Sequence, residues 1–143
     1  MMRKARFDLI SAEGDICRLL FDHSKTQTAA RLFLEWLKKR GCRVTKHEMS
    51  RFAHDLQAGR IKRGFRYRRE NFYRLILKRM RNLGPISLQT RLDSLKGRSV
   101  QVYEPVRQHI PKRGPPKGSF WHNAYVICKK WNEEFKKLSL KAN

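Results

Sequence analysis

At 143 residues the chain has room for one ordinary domain, or for a compact core with an appended helix, and two full domains would be a tight fit. Forty per cent hydrophobic and ten per cent aromatic residues exclude the disordered class, and 34 Lys and Arg against 12 Asp and Glu leave a net charge of +22. Charge of that size repels itself within a compact fold until salt or an anionic partner screens it. Nucleic acid suits the combination of charge and aromatics best. A membrane surface would need a broad exposed apolar helix face, and here the apolar faces are wanted for the core.

Cys17, Cys42 and Cys128 are odd in number, widely spaced and without a CxxC, which argues against a disulfide framework and a zinc finger. Asp8, Glu13 and Asp15 interrupt any apolar signal core behind Arg3, Lys4 and Arg6, and no apolar run approaches the ~20 residues of a spanning helix. The expectation is an intracellular protein, cytoplasmic and nucleoid-associated or nuclear, with no secretion and no membrane partner.

In chain order, residues 1–23 form an N-terminal segment, with a short helix expected after Gly14 from Ile16, Leu19, Leu20 and Phe21. Ser24 or Thr26 can cap a second helix whose apolar face is Ala29, Ala30, Phe33, Trp36 and Leu37, closed at Gly41 after a basic last turn. Val44 reads as extended. Thr45-Lys46-His47-Glu48 is a capping box, because Thr45 can accept from the N3 amide while Glu48 reaches back. The helix it opens carries Met49, Phe52, Ala53 and Leu56 on one face and stops at Gly59.

Gly59 to Arg69 is a basic connection holding Arg60, Lys62, Arg63, Arg66, Arg68 and Arg69 around Gly64. A helix from about Arg69 to Leu83 comes next and ends at Gly84-Pro85. At 100° per residue it places Phe72, Tyr73, Ile76, Leu77, Met80 and Leu83 on one face, and Arg74, Lys78 and Arg81 opposite, with Asn71 and Asn82. Ile86, Leu88 and Thr90, then Val100 and Val102, alternate as half-buried strands of an antiparallel hairpin. Its loop, Arg91 to Ser99, carries Arg91, Lys96 and Arg98. Residues 107–118 form a basic Pro/Gly linker with Lys112 and Arg113, and residues 119–143 a last helix with Trp121, Tyr125, Cys128, Trp131, Phe135 and Leu138 in one stripe. That stripe suits packing over the domain or, with its two tryptophans behind a linker, a homodimer contact.

The order of helix, helix, basic turn, basic helix closed by Leu-Gly-Pro, and hairpin resembles the winged helix-turn-helix domain over about Lys25 to Val106. The segment Arg69-Glu-Asn-Phe-Tyr-Arg-Leu-Ile-Leu-Lys-Arg-Met-Arg-Asn-Leu-Gly84 looks like a recognition helix running into its wing. The fold class expected is mainly α with a small antiparallel hairpin, the domain spanning residues 24–106. The resemblance implies that the helix from Arg69 enters a major groove and the hairpin tip reaches a neighbouring backbone or minor groove. The long connection after Gly59 departs from the usual turn of ~3 to 4 residues, which leaves the crossing angle of the two helices open.

Ten Lys and Arg against the single acid Glu70 in Gly59–Asn82 make that stretch the expected contact with duplex DNA, with Arg74, Lys78 and Arg81 at the groove. Arg60, Lys62, Arg63, Arg66, Arg68, Arg69, Lys96 and Arg98 would hold phosphates, with Arg91, Lys112 and Arg113 as further nucleic-acid contacts. Asn71 matches the N6 and N7 edge of adenine, with helix capping as its other reading. Phe72 and Tyr73 read as core, whereas Phe65 and Tyr67 stay open between core and base stacking. No histidine pair, phosphate-binding glycine loop or carboxylate cluster suggests a metal, a cofactor or catalysis. The function expected is a DNA-binding regulator or chromatin organiser. An RNA-binding or ribosome-associated protein stands as the alternative, as does an accessory subunit of a recombination or replication complex.

Overall fold

The computed structural model describes residues 15–110 and 120–135, with side chains throughout except at residues 120, 121 and 123. They divide into two compact units: one is Thr28–Val106, the other takes the described residues on either side of it. Sequence patterning makes 24–106 one domain and the two flanks separate segments. The structure begins the central unit at Thr28 and gathers the flanks into one body.

In the flanking unit, Asp15 caps α1 (Ile16–Leu20) by accepting from the Cys17 amide at 2.9 Å. Ile16, Cys17, Leu20 and Phe21 are buried. The last helix, α6 (Phe120–Glu134), packs against α1 and buries Trp131, and Phe135 just beyond the helix end is buried too. The Asn132 side chain both donates to the Gln108 carbonyl and accepts from its amide, so it occupies both backbone groups of one residue as a neighbouring strand would. The start of the expected linker is thereby held; the rest of it, Lys112 and Arg113 included, lies outside the described residues.

The central unit is built on α2 (Ser24–Lys39) from Thr28 onward, α3 (Lys46–Ala58) and a basic helical rod over residues 69–83. Helix α2 starts at Ser24 itself. It ends in a Schellman arrangement, in which the Gly41 amide donates to Lys38 and the Cys42 amide to Leu37, with left-handed backbone at both. The capping box of α3 forms on both sides: Thr45 Oγ1 accepts from the Glu48 amide at 3.1 Å, and Glu48 accepts from the Thr45 amide at 3.0 Å. One aromatic cluster joins the three helices. Phe33 meets Phe72 edge-on at 5.1 Å, Phe52 lies 5.5 Å from Phe72, and Trp36 stacks on Phe52 at 4.5 Å.

The strands β1 (Val44–Thr45), β2 (Ile86–Asp93) and β3 (Arg98–Pro105) form an antiparallel sheet in the order β1-β3-β2. The hairpin expected from the alternation is present, and Val44 adds a third strand through its pairing with Tyr103. Val44, Ile86 and Tyr103 are buried on the face that carries Leu88, whereas the other face bears the buried Val102 beside the charged residues Arg91 and Glu104.

Candidate nucleic-acid interface

The long basic connection folds into a defined path. Gly59, at φ 79°, closes α3 with a second Schellman arrangement in which the Arg60 amide donates to the Asp55 carbonyl. A β-turn over residues 62–65 comes next, with the Phe65 amide donating to Lys62 and Gly64 taking the positive φ that the turn requires. The chain then returns to α3: the Tyr67 amide donates to the Leu56 carbonyl, and the Tyr67 side chain is buried. Tyr67 is therefore core and Phe65 half-buried, which settles for Tyr67 what the sequence left open. Lys62, Arg63, Arg66 and Arg68 are exposed along this path, and Arg66 lies across Gly59 where a Cβ would meet it at 3.2 Å.

The rod comprises α4 (Arg69–Asn71), a π-helical turn (Phe72–Leu77) and α5 (Lys78–Leu83). A repeat of 100° per residue presumes uniform α geometry, whereas the π turn inserts i→i+5 bonds and shifts the phase of the residues beyond it. Phe72, Ile76, Leu77 and Met80, expected together on the apolar face, are buried, and Tyr73 is half-buried. Leu83, at the end of the rod beyond the π turn, was expected on that face and is 60% exposed.

Arg69, Glu70, Tyr73, Arg74 and Lys78 line an open groove of about 680 Å³ together with Gln57 of α3. Arg69 holds both helices. Its amide donates to Gln57 at 2.9 Å, its guanidinium donates to Ser50 Oγ at 2.9 Å, and it lies 5.8 Å from the centre of the Tyr73 ring. It also borders a second depression of about 320 Å³ lined by Ser50, Arg51, His54, Asp55 and Arg60. Arg74 donates to Asn71 Oδ1 at 3.2 Å, which orients the guanidinium and occupies the amide oxygen of Asn71. Arg81, grouped with Arg74 and Lys78 by the sequence, lies elsewhere: its guanidinium sits over the Tyr103 ring of β3 at 5.8 Å. Burial raises the pKa of that phenol, with the Arg81 charge opposing the rise.

On the hairpin, the expected loop from Arg91 to Ser99 is shorter. The strands run to Asp93 and resume at Arg98, leaving Ser94–Gly97 as the turn. Arg91 is a strand residue that donates to Glu104 through both Nε (3.1 Å) and a terminal nitrogen (2.8 Å), and Arg43 bonds the same carboxylate. The Arg91 hydrogen bond leads in holding the Glu104 pKa below the usual carboxylate range; burial opposes it and Arg43 adds to it. Arg91 is thus committed within the sheet, while Lys96 and Arg98 are exposed. Arg60 is likewise paired, with Asp55 at 3.3 Å.

The residues that sequence reasoning missed are Ser50, Arg51, His54 and Gln57. The periodicity that placed Met49, Phe52 and Leu56 inside α3 puts Ser50, His54 and Gln57 on its outer side, so the signal was present. Among the described residues no cluster of three or more His, Cys, Asp or Glu could hold a metal, and no helix is long and apolar enough to cross a membrane. Burial pushes the Cys42 thiol up to about 11 and raises Cys128, so both remain protonated at neutral pH. Compared with protein-family models, curated proteins and solved structures, the chain matches none of them.

Proposed function

We propose that Thr28–Val106 is a winged helix-turn-helix domain that binds duplex DNA, with the rod over residues 69–83 as its recognition helix and β2-β3 as its wing. The element order supports this reading: helix, strand, helix, helix, then two strands, with the short first strand paired to the last. The observation that carries it is the groove, where Arg69, Arg74 and Lys78 converge with Glu70 as the one opposing charge.

In this reading Arg74 and Lys78 face the major groove, and Arg69 grips the flanking backbone from its anchor on Ser50 and Gln57. Lys62, Arg63, Arg66 and Arg68 add phosphate contacts along the connection. Arg81 serves the helix–sheet junction more than the groove. Phosphate contacts supply affinity to a sequence-reading regulator and to a chromatin organiser alike, and base contacts separate the two.

The test is equilibrium binding to labelled duplexes of random and of genomic sequence across a salt series. Reversing Arg74 and Lys78 together to Glu should weaken duplex binding about tenfold or more, and each lost phosphate contact should reduce the salt slope by about 0.9. Unchanged affinity at moderate salt would overturn the reading. Competition with structured RNA decides the class of nucleic acid, because preferential displacement by RNA would assign the groove to an RNA backbone instead.

A further inference from the structure

The tip of the hairpin is built in an unusual way for a surface turn. Leu95 is 97% exposed and Leu92 is 74% exposed, the two barest large apolar side chains among the described residues. Leu92 continues the face of β2 that carries Ile86 and Leu88, but it overhangs the end of the core. A water-facing tip gains nothing from two solvated leucines, and an Asp, Asn or Ser there would serve the turn as well.

The turn beneath them is fully tied. Asp93 Oδ1 accepts from the amides of Leu95 at 3.0 Å and Lys96 at 3.3 Å, and the Asp93 carbonyl accepts from the Gly97 amide at 2.8 Å. Gly97 takes the left-handed φ of 66° that brings the chain back. The tip is therefore held in one shape before it meets a partner, and with the amides of Leu95, Lys96 and Gly97 committed it has no run of successive amides to cradle a phosphate. Outward it offers the side chains of Leu95 and Leu92, with Lys96 exposed next to Leu95 and Arg98 exposed on the hairpin face opposite Leu92.

We propose that the tip is an apolar wedge for the minor groove of duplex DNA, Leu95 entering a base step while Lys96 and Arg98 hold the phosphates on either side. Charge complementarity fixes the occupant: the cations around the leucines suit a polyanion and oppose a second copy of this chain, itself at +22. Apolar side chains inserted at a base step partly unstack it and kink the duplex toward the major groove. The cost is lowest at pyrimidine–purine steps, so the wedge gives the protein a preference for flexible DNA at a step it reads without hydrogen bonds. The proposal rests on the duplex-binding reading and adds deformation of the DNA to it.

The experiment uses the full chain with end-labelled duplexes of about 30 base pairs, scoring bending by energy transfer between the ends and insertion by 2-aminopurine fluorescence at a central TA step. Wild-type protein should bind, shorten the end-to-end distance and raise the fluorescence. Leu95→Ala, at a position too exposed to matter for folding, should lose both signals and about tenfold in affinity for the TA duplex. Lys96→Ala should weaken TA and rigid A-tract duplexes equally. Binding without bending or fluorescence gain overturns the wedge and leaves the duplex-binding reading standing, whereas no duplex binding at all overturns both. Bending retained by Leu95→Ala also overturns the wedge, as does a change in solution mass with Leu92→Ala/Leu95→Ala, which would give the leucines to a second copy.

Discussion

Glu104 shows how a single carboxylate sets what the surrounding arginines can do. Arg91 of β2 and Arg43, just before β1, converge on it, so two guanidinium groups in a highly basic protein are withdrawn from the surface charge offered to a partner. Because the folded-state pKa of Glu104 lies below its unfolded value, its contribution to stability is complete at neutral pH and is lost as pH falls through the folded pKa. Glu104→Gln should therefore lower stability at pH 7 by no more than about 1 kcal/mol, since both arginines are largely exposed. Thermal melts should show the gap between wild type and variant closing as pH falls below about 4. A gap that persists at pH 2 would mean that shape, and not charge, holds the three residues together. Glu48 behaves similarly: burial works against its ionisation, but the Thr45 amide and Arg40 outweigh it and keep its pKa low.

Among the elements, the basic rod depends on neighbours that contribute nothing to its charge. Phe72 anchors it between Phe33 and Phe52, and truncation of a buried phenylalanine costs about 3–5 kcal/mol. Phe72→Ala should accordingly abolish duplex binding by unfolding the central unit, and circular dichroism should show the loss of helix. The caps give smaller, graded effects. Thr45→Ala removes one half of a complete capping box and should cost about 1 kcal/mol in denaturant melts. Gly59→Ala forces a side chain into left-handed backbone against Arg66, a cost of about 1–2 kcal/mol, and should also displace the connection that presents Arg66 and Arg68. The π turn belongs to this scale too. It shifts the phase of the residues after it, and there Leu83 is exposed and Arg81 lies over the sheet, apart from Arg74 and Lys78.

For the whole molecule, self-repulsion at +22 makes stability dependent on its surroundings. Scanning calorimetry should show Tm rising with added salt in the absence of DNA, and rising further with a duplex at low salt, where binding to the folded state is tightest. An identical Tm with and without saturating duplex would contradict the proposed function. The homodimer expected through the aromatic stripe has less surface than the sequence suggested. Trp131 and Phe135 are buried, and Tyr125 and Cys128 are half-buried, while Leu138 and the Trp121 side chain lie outside the described residues. Sedimentation at several concentrations measures the association that remains.

Much of this architecture was legible because its signals are local. The box at Thr45 and Glu48, the stop at Gly59, the apolar spacing of α3, the alternation after Pro85 and the basic stretch from Gly59 each depend on residues a few positions apart, and each appears where the spacing put it. Tertiary contacts decided the rest. Whether Tyr67 is buried, whether Arg91 is committed, and which arginines share a groove depend on partners as distant in sequence as Leu56, Glu104 and Gln57. The π turn is the clearest case, for a helical repeat read along the chain assumes a constant angle per residue. Here the angle changes at Phe72–Leu77, and Arg81 lies over Tyr103 and not beside Arg74 and Lys78, a placement that no interval in the sequence records.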